Sequence, residues 1–137
     1  MKKGQALVFE QVLMFSIGVT IFIIYFATFN IYQDYYLTSG MNDQLTETKS
    51  VITSHIIKAA VTDGNTTTLL VVPRRIGNQP YKIDLSNNGI NVSSLSSGTS
   101  KFSTLLNLNK TFNFNGRIIS GSGKLTIVKR GNDIQLV

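Results

Sequence analysis

Cysteine is absent from these 137 residues. The fold therefore holds no disulfide and offers no thiolate for catalysis or metal binding. That excludes a disulfide-stapled secreted domain, although not secretion itself. Histidine is reduced to His55 alone, so Cys and His cannot assemble a zinc set. His55 lies on or beside an apolar stripe and is expected as a packed or rim residue. Charge is sparse, at 15% of residues. The carboxylates, Glu10, Asp34, Asp43, Glu47, Asp63, Asp84 and Asp133, show no pairing suited to acid–base work. No Gly-rich phosphate loop follows a strand; "SGSG" at 120–123 is a turn composition. A serine nucleophile served by His55 has no sequence context. Neither enzymatic activity nor a cofactor is expected.

The net charge is +6, which raises the question of an anionic partner. The Lys and Arg residues are scattered, with no run longer than two. The clustered footprint of a nucleic-acid binder is missing, so no nucleic acid is expected. Arg74-Arg75 is expected as a solvated pair at a sheet edge, with an anion site as the less favoured use.

What the chain does have is a long apolar run. No charged residue occurs from Gln11 to Gln33, and Val12–Phe29 reads "VLMFSIGVTIFIIYFATF". About 20 helical residues cross a hydrocarbon layer. Val12, Ile17, Val19, Thr20, Ile21, Ile23 and Ile24 are β-branched. In water they weaken a helix, but lipid forces one, because backbone polar groups must be satisfied within the segment. Lys2 and Lys3 precede the run; Asp34 follows it, and Tyr25, Tyr32, Tyr35 and Tyr36 suit an interfacial belt. Positive-inside reasoning places residues 1–5 in the cytoplasm and residues from about 34 onward outside.

An ordinary cleaved signal peptide fits poorly, since the run is too long and "FATFNIYQ" offers no A-x-A site. A plain signal anchor fits. Glu10 is harder to place, because a carboxylate inside a membrane segment is costly and calls for a partner. It lies only ~6 Å along the axis from Ala6, so an interfacial position is the alternative.

"KKGQ" followed by "ALVFEQVLMFSIGV" resembles the class III signal peptide of archaeal type IV pilins and pilin-like proteins. The resemblance covers about 30 residues at the amino end. It implies that Lys2, Lys3, Gly4 and Gln5 mark processing by a prepilin peptidase on the cytoplasmic side. The apolar helix then stays in the product. It also implies that Glu10 pairs with the new amino terminus of a neighbouring subunit during assembly. Cleavage at Gly4–Gln5 is favoured, although it makes Glu10 the sixth mature residue where the family has its carboxylate fifth. Cleavage after Gln5 would restore the fifth position and break the glycine rule. "VVPRRIGNQPYKIDLSNNGINV" is similar, more weakly, to the segment after the long helix in such proteins.

Beyond the run, Leu45, Val51, Ile52, Ile56, Ala59 and Ala60 recur at helical spacing. A helix of up to ~55 residues is expected over about Ala6–Ala60. A break or kink is expected at Thr38-Ser39-Gly40, with Asn42 or Asp43 capping a resumed helix. "TDGN" at 62–65 ends it. Strands are expected at Thr67–Val72, Tyr81–Leu85, Gly89–Ser93, Phe102–Leu108, Thr111–Asn115, Arg117–Ser120, Lys124–Lys129 and Ile134–Val137. "SNNG" at 86–89 and "RGND" at 130–133 read as hairpin turns.

The fold class expected is thus α+β: a long N-terminal hydrophobic helix, a pilin-like lollipop, followed by a small antiparallel β-sheet or β-sandwich. The organisation expected is a cytoplasmic leader at 1–4 and a transmembrane or filament-core helix at 5–33. An amphipathic continuation at 34–61 and an extracytoplasmic β-domain at 62–137 follow. Sequons at Asn65, Asn91 and Asn109 are candidate N-glycosylation sites, with unmodified turns and strands as the alternative. The resemblance implies a structural subunit of a surface filament, with copies of itself or other pilins, the peptidase and membrane lipid as partners. A membrane-anchored binding or accessory module that never polymerises is the competing expectation.

Overall fold

The computed structural model describes residues 3–137. One helix, α1, runs over Lys3–Val61, 59 residues in all. The chain divides between Thr38 and Ser39 into two compact units. The first is helical throughout, and every described side chain from Gly4 to Leu37 is exposed.

The second unit, Ser39–Val137, contains the rest of α1 and seven strands. The strands are β1 (Thr66–Val71), β2 (Tyr81–Ser86), β3 (Gly89–Ser94), β4 (Ser100–Ser103), β5 (Asn113–Ile119), β6 (Lys124–Arg130) and β7 (Asp133–Leu136). They form one sheet in the order β1-β6-β7-β5-β2-β3-β4. All pairs are antiparallel except β5 with β7. A helix followed by a mostly antiparallel sheet is the α+β arrangement the sequence leads one to expect.

The expected break at Thr38-Ser39-Gly40 does not occur, and Asn42 and Asp43 cap nothing: α1 continues through all five. A glycine inside a helix costs only about 1 kcal/mol. Met41 and Leu45 are buried directly after it, and burying even one such side chain contributes ~2 kcal/mol. Continuation therefore wins. Met41, Leu45, Thr48, Ile52, Ile56 and Ala59, spaced by three and four, form one buried stripe. It shares a core with Leu70, Tyr81, Ile83, Ile90, Val92, Phe114, Leu125, Ile127 and Ile134. The ring of Tyr81 is fully enclosed, and its hydroxyl donates to the Pro73 carbonyl at 2.6 Å. Burial pushes that phenol up to about 12.

Two expected strands are one. Thr111–Asn115 and Arg117–Ser120 fuse into β5, which passes through Gly116 and changes partner there. Asn113–Asn115 pair with β7, and Gly116–Ile119 pair with β2. Gly116 has φ +154°, and a Cβ there would stand 2.7 Å from the Leu136 Cβ. Glycine alone lets the three strands meet at this point. The expected strand Phe102–Leu108 is also corrected. Only Ser100–Ser103 is extended, and Leu106–Lys110 form a short 3₁₀ turn. Leu106 stands at φ +54°, which extended backbone does not allow, so the chain leaves the strand there.

The end of α1 is held by a lysine from the sheet. Lys129, on β6, is 6% exposed. Its ammonium donates to the carbonyls of Ala60 at 3.1 Å and Thr62 at 2.5 Å. It also stands 5.1 Å above the Phe112 ring. The last carbonyls of a helix lack intrahelical donors and carry partial negative charge, so a buried cation is stabilised there without a carboxylate. Lys129→Met should lower the unfolding free energy by about 2–4 kcal/mol, since two carbonyls lose their donor inside the protein. Denaturant unfolding of the full chain in detergent micelles measures this. An unchanged midpoint would show that the helix end needs no such cap.

Candidate functional site

The feature that the fold leaves unused is the first unit's surface. Leu7, Phe9, Phe15, Phe22, Phe26 and Phe29 are 58–74% exposed. Gly4–Val61 contains a window long and apolar enough to cross a membrane, and none of that window is buried. Four polar side chains of the apolar run find acceptors on the helix itself. Ser16 donates to the Val12 carbonyl at 2.8 Å, Thr20 to Ser16 at 2.8 Å, and Thr28 to Ile24 at 2.7 Å. The Asn30 amide donates to the Phe26 carbonyl at 3.0 Å. Each returns one turn back along the helix, so none demands a partner from an apolar medium.

Apolar side chains occur on every side of the segment. At ~100° per residue, Phe15, Phe22, Tyr25, Phe26, Phe29, Tyr32 and Tyr36 fall within an arc of roughly 120°. Phe22 and Phe26 stack with ring centroids 6.3 Å apart. The opposite arc carries Phe9, Leu13, Ile23, Ile24 and Ile31 together with the smaller Ser16, Thr20 and Ala27.

Glu10 lies in the third turn of α1, exposed, with no salt bridge or hydrogen bond among the described residues. Lys2 lies outside the described residues. Lys3, Gly4 and Gln5 are the opening residues of α1. The three sequons stand in different places. Asn65 is exposed before β1, and its side-chain oxygen accepts the Gly131 N–H at 2.9 Å. Asn91 is half-buried in the middle of β3, and its side-chain oxygen has no partner among the described residues. Asn109 is exposed on the 3₁₀ turn.

His55 is half-buried on α1 beside Thr66 and Thr68 of β1, a rim position. No group of metal-ligating side chains occurs among the described residues. Arg74 and Arg75 are both exposed between β1 and β2.

Two arrangements in the second unit were not legible as sites. One is Lys129, although a signal exists: Leu125, Ile127 and Lys129 share a parity in "KLTIVKR", so a lysine falls on the apolar side. The other is an ion cluster on the face of the sheet away from the core. Asp84 accepts from Lys82 at 2.8 Å and from Arg117 at 2.6 Å. Asp84 and Arg117 are directly opposite across β2 and β5. Burial pushes the Asp84 carboxyl upward, but the hydrogen bonds and charges of Lys82 and Arg117 outweigh it and hold the group below its ordinary value. The pair Asp84–Arg117 cross-links β2 and β5.

The chain matches no known protein family, no curated protein and no solved structure.

A carboxyl with a depressed folded value stabilises above its unfolded value, 3.8, and that stability disappears as pH falls through the folded value. Arg117 is 72% exposed on its side chain, so screening limits the effect to under about 1 kcal/mol. Asp84→Asn should therefore flatten the acid limb of the stability curve below about pH 4 while changing little at neutrality. Unfolding midpoints measured from pH 2.5 to 7 decide it. An identical acid limb in both proteins would remove the cluster from the account.

Proposed function

We propose that this chain is a structural subunit of an archaeal type IV pilus-like surface filament. One observation carries the reading. The unit from Ser39 to Val137 completes its own core, while the exposed apolar helix before it takes no part in that core. Such a surface must be covered by lipid or by other helices. Lys2, Lys3, Gly4 and Gln5 supply the basic leader and the bond for a prepilin peptidase.

In this reading the chain first inserts as a single-pass membrane protein, amino terminus in the cytoplasm and β unit outside. The peptidase removes the leader after Gly4. Glu10 then compensates the new amino terminus of an adjacent subunit, since an unpaired carboxylate among apolar helices would be costly. The aromatic arc of one helix packs against the largely aliphatic opposite arc of the next. Packing one face against a different face does not close on itself, so copies add indefinitely into a helical filament. Burial between helices contributes at ~25 cal/mol per Å². The β unit coats the outside and makes surface contact. Asn109 is the sequon best placed to carry a glycan there.

The test is N-terminal peptide mass spectrometry on membranes and on sheared surface filaments. A mature chain beginning at Gln5 or Ala6 and enriched in filaments is expected. An intact Met1 or Lys2 terminus confined to membranes would mean an anchored module that does not polymerise. Glu10→Ala should lower filament yield at least about tenfold with membrane insertion unchanged, because one buried ion pair loses its anion. A normal yield would remove Glu10 from assembly.

A further inference from the structure

The sheet has two edges, and they are protected unequally. Edge strand β4 is four residues long, carries Lys101, and has the Lys49 ammonium 3.5 Å from the Phe102 carbonyl. Shortness and lysines are the usual means of keeping an edge from pairing. Edge strand β1, "TTTLLV", has none of them. It is six residues long, uncharged, without proline, and in unbroken register with β6 from Thr66 to Val71.

Its free ladder can be read off. The Val72 N–H donates to the Gly123 carbonyl at 3.0 Å, so Val72 faces β6. Facing alternates along an antiparallel strand, hence Leu70, Thr68 and Thr66 also face β6. Thr67, Leu69 and Val71 turn their N–H and C=O outward, and no other described segment takes them up. Their side chains are exposed as well, Leu69 by 60% and Val71 by 77%. Pro73, the next outward position, has no N–H and ends the ladder.

We infer that β1 pairs antiparallel with β1 of a second copy of this chain, with Leu69 on the two-fold axis. The ladder is self-complementary in that register. Thr67 faces Val71 of the other copy, Leu69 faces Leu69, and Val71 faces Thr67. All three N–H groups and all three C=O groups of each copy find partners. The exposed Leu69 and Val71 gain apolar cross-strand neighbours, and no charge opposes another. A one-residue slip would set inward-facing groups against outward ones and lose the ladder, which fixes the register. The contact is isologous and closes as a dimer. It involves only the Ser39–Val137 unit and stands apart from the filament reading.

The chain has no cysteine, so single substitutions report cleanly. Full-length protein in detergent micelles carries Leu69→Cys or Gln135→Cys and is treated with a short bismaleimide. Gln135 lies on β7, two strands further in, which puts its two copies ~24 Å apart in the dimer. Covalent dimer is expected from Leu69→Cys and not from Gln135→Cys. Leu69→Lys, which sets two ammonium groups face to face, should weaken dimerisation by at least about tenfold in analytical ultracentrifugation. Equal cross-linking at both positions would place association elsewhere and overturn the inference. So would a monomeric wild type, including one that pairs only with another protein's strand, or a dimer unaffected by Leu69→Lys. Loss of filaments with the Leu69→Cys cross-link intact would count against the filament alone.

Discussion

A helix that ends inside a protein must find donors for its last carbonyls, and in this chain that requirement organises the second unit. The donor is Lys129, brought from near the end of β6 to the carbonyls of Ala60 and Thr62. A buried ammonium without a carboxylate would normally be unfavourable. Here the helix end supplies the opposing partial charge, and the Phe112 ring covers the cation from another side. Because β6 lies between β1 and β7, this contact fixes the end of α1 over one half of the sheet. The stripe from Met41 to Ala60 then falls over the core-facing side chains. The turn at Asp63-Gly64, which leads into β1, starts from a point already held.

The other half of the sheet is joined through β5. Its first residues pair with β7 and its last with β2, so the two halves share one strand that changes partner at Gly116. The same crossing accounts for the single parallel pair. Asn87, in the β2–β3 turn, accepts the Phe114 N–H at 2.7 Å where β2 does not reach. The backbone is thus satisfied on both sides of the change of partner. On the far face, Asp84 ties β2 to β5 beside the same junction.

Much of this was legible in the sequence because two periods are strong. The run after Gln11 and the stripe at Leu45, Ile52, Ile56 and Ala59 gave the helix to within a few residues at each end. The expected strands Tyr81–Leu85 and Lys124–Lys129 match β2 and β6 to within a residue at each end. The failures have physical causes. Gly40 reads as a breaker until one knows that Met41 and Leu45 are buried beyond it. Gly116 reads as a turn until β2 and β7 are known to flank it. The leucines near 105–108 are apolar in composition, but only Leu105 is buried. Strand order and the partner of a lone lysine are long-range facts that local pattern does not encode. The candidate site divides the same way. The apolar helix and Glu10 were visible as composition, whereas Lys129 needed the parity of its strand to be taken at face value.

The same physical rule separates the two halves of α1. Past Ser39, the buried apolar residues keep to one stripe, and Asp43, Glu47, Lys49, Ser50 and Lys58 stand among the other positions, so water can cover the rest. Before Thr38 no such division exists. Apolar residues occur all round, so no face is left for water. The first half thus suits an apolar surrounding on every side, whereas the half past Ser39 is divided between the sheet and water.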